Sequence, residues 1–351
     1  SDYADLLLMP YDPKLMHADE QGRIKSEFSH EMEKAEPGYY RVELKDYQIS
    51  AELTALERSG IHHYTYNNKD IGLVVDLNHL DIVVDFEITA VGNNVLKGKR
   101  TSDAWAREQH FYFHIEFSQP FTIDSTSLKG QRMFLRFPQS NELTVKVGIS
   151  AVDPNGAEKN LNQEIGKQTF KQIRQEARTK WENELSKITI HTKDENFKTI
   201  YYTALYHSFL NPNLFVDVDG RYRGTDLNIH HTTDQQYTVF SLWDTFRATH
   251  PLFTLVQQKR TEEFIRTFLR QYKDGGKLPM WELAGNYTGC MIGYHSVPVI
   301  VDAYMKGLRD FDAELALEAM LERANQRTLG VPAYIEFGFV PVEEEHESVS
   351  K

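Results

Sequence analysis

From residue 38 to residue 150 hydrophobic positions recur at every second residue. Tyr40, Val42 and Leu44 alternate with Arg41, Glu43 and Lys45, and Ile49, Ala51, Leu53 and Ala55 alternate with Ser50, Glu52 and Thr54. The same period runs through Ile82, Val84, Phe86 and Ile88, then Phe111, Phe113, Ile115 and Phe117, then Leu143, Val145, Val147 and Ile149. Successive side chains of a strand point to opposite faces, so these runs predict antiparallel strands with one face in a core and one in water. Turn residues at Asn67-Asn68, Gly92-Asn93-Asn94 and Asp153-Pro154-Asn155-Gly156 punctuate them. Many strands with no helical period between them predict a β-sandwich over residues 1–160. His62 and His63, neighbours on one strand, point to opposite faces; a metal shared between them is disfavoured, and local hydrogen bonding is the simpler role.

Beyond residue 160 the period lengthens. Ile173, Ala177, Trp181 and Leu185 recur every four positions and predict one long amphipathic helix across 164–187, within a helical linker over 161–190. Phe197, Ile200, Tyr201, Ala204, Leu205 and Phe209 predict a second helix that ends at Asn211-Pro212. Phe264, Ile265, Phe268, Leu269 and Tyr272 mark a third, closed by Gly275-Gly276; Val297, Ile300, Val301, Tyr304, Met305 and Leu308 mark a fourth, and residues 315–321 a fifth. Helices separated by long polar and aromatic loops fit an α/α toroid better than a short-loop bundle, so residues 191–351 read as the first part of a helical barrel.

Charge narrows the functional classes. The 351 residues carry 39 basic and 51 acidic side chains, a net charge of -12 that repels phosphate backbones and anionic membranes, and the Lys and Arg residues are scattered. Nucleic acid is therefore not an expected partner. The run Leu6-Leu7-Leu8-Met9 is far too short to span a membrane and reads as a strand already under way. The acidic stretch 343–347 leads to the last residue with no closing helix, so the chain reads as a piece of a longer protein. Cys290 stands alone, which rules out an intrachain disulfide and a thiolate zinc site, and it reads as a small packed residue.

Aromatic residues reach 12%, and they gather in the inter-helix loops. In 240–247, Trp243 reads either as a core anchor, with Asp244 and Arg247 as an ordinary helix pair, or as part of a sugar site. There an indole packs on apolar CH groups and a carboxylate takes hydroxyl hydrogen bonds. The stretch 275–295, with Trp281, Asn286, Tyr287, Met291 and Tyr294, has the small, aromatic and amide residues of a binding loop and no nucleotide-binding glycine fingerprint. Asn286-Tyr287-Thr288 fits a glycosylation sequon. The acidic run 343–347 reads as a solvated face or as a source of a general acid or metal ligands. Glycoside hydrolysis needs two carboxylates astride the scissile bond, and their separation is not readable from sequence.

The segments Phe240-Ser-Leu-Trp-Asp-Thr-Phe-Arg247, Leu278-Pro-Met-Trp-Glu-Leu-Ala-Gly-Asn-Tyr-Thr-Gly-Cys-Met-Ile-Gly-Tyr-His-Ser-Val-Pro-Val-Ile300 and Glu347-Ser-Val-Ser-Lys351 resemble glycoside hydrolase family 92, the calcium-dependent exo-acting α-mannosidases. Phe28-Ser-His-Glu31, Pro37-Gly-Tyr-Tyr40 and Ala51-Glu-Leu-Thr54 resemble that family's amino-terminal sandwich. The resemblance implies a multidomain β plus α chain: a mutarotase-like antiparallel β-sandwich, a helical linker and part of an (α/α)6 barrel. It implies inverting hydrolysis of terminal mannose in N-glycans or mannan, an α-1,2 preference, and a periplasmic or secreted location. It implies a calcium cofactor too. The general acid, the general base and the calcium ligands are expected beyond Lys351, since the family motifs that carry them do not occur here; no metal ligand is assigned within the chain. Carried over as substrate-binding residues are Trp243 and Asp244, with Arg247 orienting Asp244, followed by Trp281, Asn286, Tyr287 and Met291. A non-catalytic carbohydrate-binding protein and a phosphorylase of similar two-domain architecture remain the alternatives.

Overall fold

A computed structural model describes residues 3–20, 22–138, 140–328 and 330–344. Glu347 and the Glu347-to-Lys351 motif lie outside the described residues. The chain divides into two compact units.

The first comprises Ser1–Ala104, Glu108–Ser186 and Asp217–Asp219. Its strands are β1 (Leu7–Tyr11), β2 (Glu33–Glu36), β3 (Tyr39–Leu44), β4 (Ile49–Ala55), β5 (Ser59–Tyr66), β6 (Asp70–Asp76), β7 (Ile82–Val91), β8 (Val95–Asp103), β9 (Gln109–Phe117), β10 (Thr122–Ser127), β11 (Arg132–Pro138) and β12 (Glu142–Ser150). They form a four-stranded sheet in the order β1-β6-β11-β10 and an eight-stranded sheet in the order β2-β3-β4-β5-β12-β9-β8-β7. Every pairing within them is antiparallel. One core joins the two sheets: Tyr11, Leu73, Val75, Leu135 and Phe137 from the smaller meet Ile49, Tyr64, Phe113, Ile115 and Val145 from the larger. This is the predicted antiparallel β-sandwich.

The period-two reading holds in β9 and in the first parts of β4 and β12, reverses at the end of β4, where Thr54 is buried and Ala55 exposed, and breaks at the sheet edge. In β7, Ile82 and Val84 are exposed. The register shifts between Val83 and Asp85, and this bulge turns the start of the edge strand out of phase while Phe86 and Ile88 still pack on the core. Asp153-Pro154 is a helix start rather than a turn: Asp153 Oδ1 accepts from the Gly156 N–H at 2.6 Å and Pro154 begins α1 (Pro154–Glu164). Proline suits that position because the first helical N–H has no partner in any case. The long helix expected across 164–187 is a single helix that starts later. Gly166, at φ +47, separates α1 from α2 (Phe170–Leu185), whose Thr169 and Gln172 form a capping box and whose Ile173 and Ala177 are buried.

The second unit comprises Trp105–Arg107, Lys187–Val216 and Gly220–Lys351. It contains α3 (Glu195–Ser208), short strands β13 (Asn213–Leu214), β14 (Arg221–Arg223), β15 (Ile229–His231), β16 (Tyr237–Thr238) and β17 (Phe240–Ser241), then α4 (Leu242–Thr245), α5 (Thr249–Val256) and α6 (Gln258–Gly275). Strands β18 (Trp281–Leu283) and β19 (Asn286–Tyr287) precede α7 (Ser296–Met305), α8 (Ala313–Ala324) and α9 (Val331–Phe337). α6 is the central apolar helix: Phe264, Ile265, Phe268 and Leu269 are buried on it, and Gly276 at φ +74 ends it in a left-handed cap. Among the described residues no helix is long and apolar enough to cross a membrane.

Candidate functional site in the second unit

The two loop stretches that carry the residues expected to bind sugar meet in one small sheet of order β17-β18-β19. Ser241 lies opposite Trp281 and Phe240 opposite Glu282; on the other side Glu282 faces Tyr287 and Leu283 faces Asn286. The Leu242 N–H adds a bond to the Met280 carbonyl at 3.1 Å. α4 begins where β17 ends, so Trp243 and Asp244 leave directly from an edge of this sheet.

Trp243 is 36% exposed, a large apolar ring open to a ligand. Asp244 is exposed, and its Oδ2 accepts a hydrogen bond from the Ser241 hydroxyl. Arg247 does not hold it: among the described residues no ion pair joins the two, and the Arg247 guanidinium lies 5.1 Å from the Phe246 ring centroid. Phe246 in turn packs 4.3 Å from His295, whose imidazole is held below its usual pKa by burial and then by the Arg247 charge. α4 ends at Thr245, so Arg247 lies beyond the helix that carries Asp244 and sits by its aromatic neighbour instead of the carboxylate.

The remaining predicted residues divide by depth. Trp281 is only 8% exposed and its ring packs 4.8 Å from that of Trp105, which is 47% exposed. Trp281 thus supports the platform and Trp105 presents it. Asn286 is buried, with its Nδ2 donating to the Ala284 carbonyl at 3.1 Å, so the sequon is closed to glycosylation in this fold. The Tyr287 hydroxyl accepts from Arg323 Nη2 at 2.6 Å, and the same nitrogen reaches the Gly293 carbonyl at 3.3 Å. Arg323, buried on α8, therefore ties the sheet to the loop after it. Met291 and Tyr294 are exposed on that loop, Met291 with φ +63. Cys290 packs beside Trp281, Leu283 and Ala284.

Sequence reading missed Trp105, Arg323, Thr238 and Glu282. A lone Trp in a polar loop between strands was a usable signal for the first. The others act through partners far along the chain. Glu282 is 1% exposed, and burial pushes its carboxyl up to about 7, against the opposing pull of hydrogen bonds led by that from the Gly285 N–H.

The arrangement is suited to holding a polyhydroxylated ring: open indole faces, an exposed carboxylate fixed by a hydroxyl, and a buried frame behind them. It is not a pair of carboxylates astride a bond, because Glu282 is sealed from solvent while Asp244 is open. Among the described residues no group of three or more His, Cys, Asp or Glu side chains could hold a metal ion, so no calcium site is assigned to them.

Comparison with known proteins identifies the family. The glycosyl hydrolase family 92 N-terminal domain matches residues 1–150 and the glycosyl hydrolase family 92 catalytic domain matches residues 156–351. No curated protein gives a match. Among solved structures, the family GH92 α-mannosidase BT3965 from Bacteroides thetaiotaomicron aligns at 35% identity and a TM-score of 0.89, over 98% of this chain and 51% of that one. The same α-mannosidase in complex with mannoimidazole aligns at 34% identity and 0.89, over 98% of this chain and 50% of that one. The family GH92 inverting mannosidase BT2199 from Bacteroides thetaiotaomicron aligns at 29% and 0.83, over 96% and 48%. The chain spans about half the length of these relatives. A matching domain over more than half its residues, and a relative above 30% identity along nearly all of it, place this chain in glycosyl hydrolase family 92.

Proposed function

We propose that the protein containing this chain is an exo-acting α-mannosidase that removes terminal α-1,2-linked mannose from N-glycans or mannan with inversion, and that this chain supplies part of the mannose-binding site. The observation that carries the reading is the β17-β18-β19 sheet, which brings Trp243 and Asp244 into one construction with Trp281 and Trp105. The relative solved with mannoimidazole and the relative described as an inverting mannosidase support it. Trp243 and Trp105 offer rings to the sugar's CH face and Asp244 accepts its hydroxyls. The proton-transferring carboxylates and calcium belong to this proposal as groups outside the described residues, as does a periplasmic or secreted location.

The test is mannose release from α-1,2-mannobiose by the full-length protein, followed by proton NMR. The β-anomer appearing first, with activity lost on chelation and restored by calcium, is the expected result. Binding without release would return the non-catalytic reading, phosphate-dependent release the phosphorylase reading, and initial release of the α-anomer would overturn inversion.

A further inference from the structure

Ser241-Leu242-Trp243-Asp244 has the spacing of a capping box. In that motif the serine oxygen accepts from the backbone N–H three residues on, and the acidic side chain reaches back to the serine N–H. The fold does not use it so. Ser241 precedes α4 without any side-chain bond to the helix backbone, and its hydroxyl donates to Asp244 Oδ2 instead. A local rule broken beside a candidate site suggests that the group serves the site.

The backbone of Ser241 is a fixed point. Its neighbours Phe240 and Leu242 are fully buried, and the Phe240 ring packs 4.8 Å from that of Phe268 on α6. The Ser241 carbonyl accepts from Thr245 Oγ1 at 3.0 Å. Across the ladder Ser241 lies opposite Trp281, so the two side chains leave the sheet on one face. The hairpin that carries Trp281 turns at Ala284-Gly285 and is itself held: the Ala284 N–H donates to Thr238 Oγ1 at 2.7 Å and the Gly285 N–H to Glu282 Oε1 at 2.8 Å. Asp244, by contrast, is exposed, and its Oδ1 makes no hydrogen bond or ion pair among the described residues. The last torsion of a free carboxylate side chain has only broad preferences. A charge-assisted bond from a hydroxyl on a rigid strand removes that freedom and leaves Oδ1 as the open acceptor.

We propose that Ser241 is a positioning residue: its hydroxyl orients Asp244 so that Oδ1 accepts a mannose hydroxyl, in register with the Trp281 and Trp105 rings. This rests on the sugar-site reading above. The serine acts through Asp244 alone, and it acts on binding, because a side chain already ordered in the free protein costs less to order when the sugar arrives.

The test uses full-length protein as wild type, Ser241→Ala, Ser241→Thr, Asp244→Ala and the double variant Ser241→Ala/Asp244→Ala. Mannose binding is read by calorimetry, and KM and kcat with α-1,2-mannobiose. Ser241→Ala should bind mannose about five- to tenfold more weakly and raise KM by the same factor, with kcat within about twofold of wild type. Its melting temperature should stay close to that of wild type, since no helix cap is lost. Ser241→Thr keeps the hydroxyl and should return affinity to within about twofold of wild type. Asp244→Ala should lose more than Ser241→Ala does, and the double variant should lose nothing further, because the serine then has no carboxylate to orient. Full affinity in Ser241→Ala, or an undiminished further loss when it is added to Asp244→Ala, overturns the proposal and leaves the sugar site standing. Wild-type affinity and KM in Asp244→Ala, or no mannose binding by any of the proteins, overturns the sugar-site reading and the proposal with it.

Discussion

In the sandwich unit, buried charges come as closed pairs beside an apolar core: Arg100 with Asp5, and Arg132 with Asp76 at 2.8 Å. The core itself is aliphatic and aromatic, with Ile49, Leu73, Phe113, Ile115 and Leu135 fully buried. The helical unit distributes polarity differently. Thr238 on β16, Thr261, Thr267 and Gln271 on α6 and Glu282 on β18 are buried, while Met305, Leu317, Leu321, Ile335 and Phe337 are exposed on α7, α8 and α9. Apolar burial is non-directional and stabilises; hydrogen bonds are directional and fix geometry. The first unit is built for stability, and the second uses buried polar groups where a hairpin must be held in one position.

That contrast is broken most forcefully by removing a charge from a closed pair. Arg100→Ala leaves Asp5, whose carboxyl pKa burial already raises, with Gln109 at 2.8 Å as its remaining hydrogen-bond donor among the described residues. A loss of about 3–5 kcal/mol is expected in denaturant unfolding of the full-length protein. A loss near zero would mean that the Arg100 pairing is not what keeps Asp5 stable inside the sandwich.

In the helical unit the corresponding change is gentler and shows itself in binding. Thr238→Val keeps the shape but removes the acceptor for Ala284 N–H and one donor to Glu282, at about 1–3 kcal/mol. Mannose affinity should fall with it, because the turn behind Trp281 loosens. Trp243→Ala should separate the two quantities: about tenfold weaker mannose binding by calorimetry, from the loss of ring contact, with an unchanged melting temperature. An equal loss of stability in Trp243→Ala would make this ring a core anchor, the plainer of its two sequence readings.

How much of this was legible differs in the same way. Alternation in β9 and at the start of β4 is visible because one face is dry and the other wet. In β6, six of seven residues are buried, so no alternation exists to read. Asp153-Pro154 carries the composition of a turn and of a helix start alike, and only the chain after it decides. The segments holding Trp243 and Trp281 stood out by their aromatic and amide content, yet their depth did not, and Trp281 and Asn286 proved to be frame. Glu282 was hidden because its partner Thr238 lies on a strand far earlier in the chain, and no local spacing records such a contact.

The smallest expected effect tests the hairpin from the opposite direction. Leu283-Ala284-Gly285-Asn286 lacks the Asn-Gly or Asp-Gly pair that announces a two-residue hairpin, and Ala284 adopts φ +50 only because Thr238 and Glu282 hold it there. Ala284→Gly removes the Cβ strain, of order 1 kcal/mol, and adds back nearly as much in unfolded-chain freedom. The net change in stability should stay within about 0.5 kcal/mol. Combined with Thr238→Val, however, the glycine should recover part of that variant's loss, since a turn that no longer needs forcing depends less on its clamp. A double-mutant cycle by chemical denaturation measures this, and strict additivity would show that the strain at Ala284 and the Thr238 hydroxyl are independent.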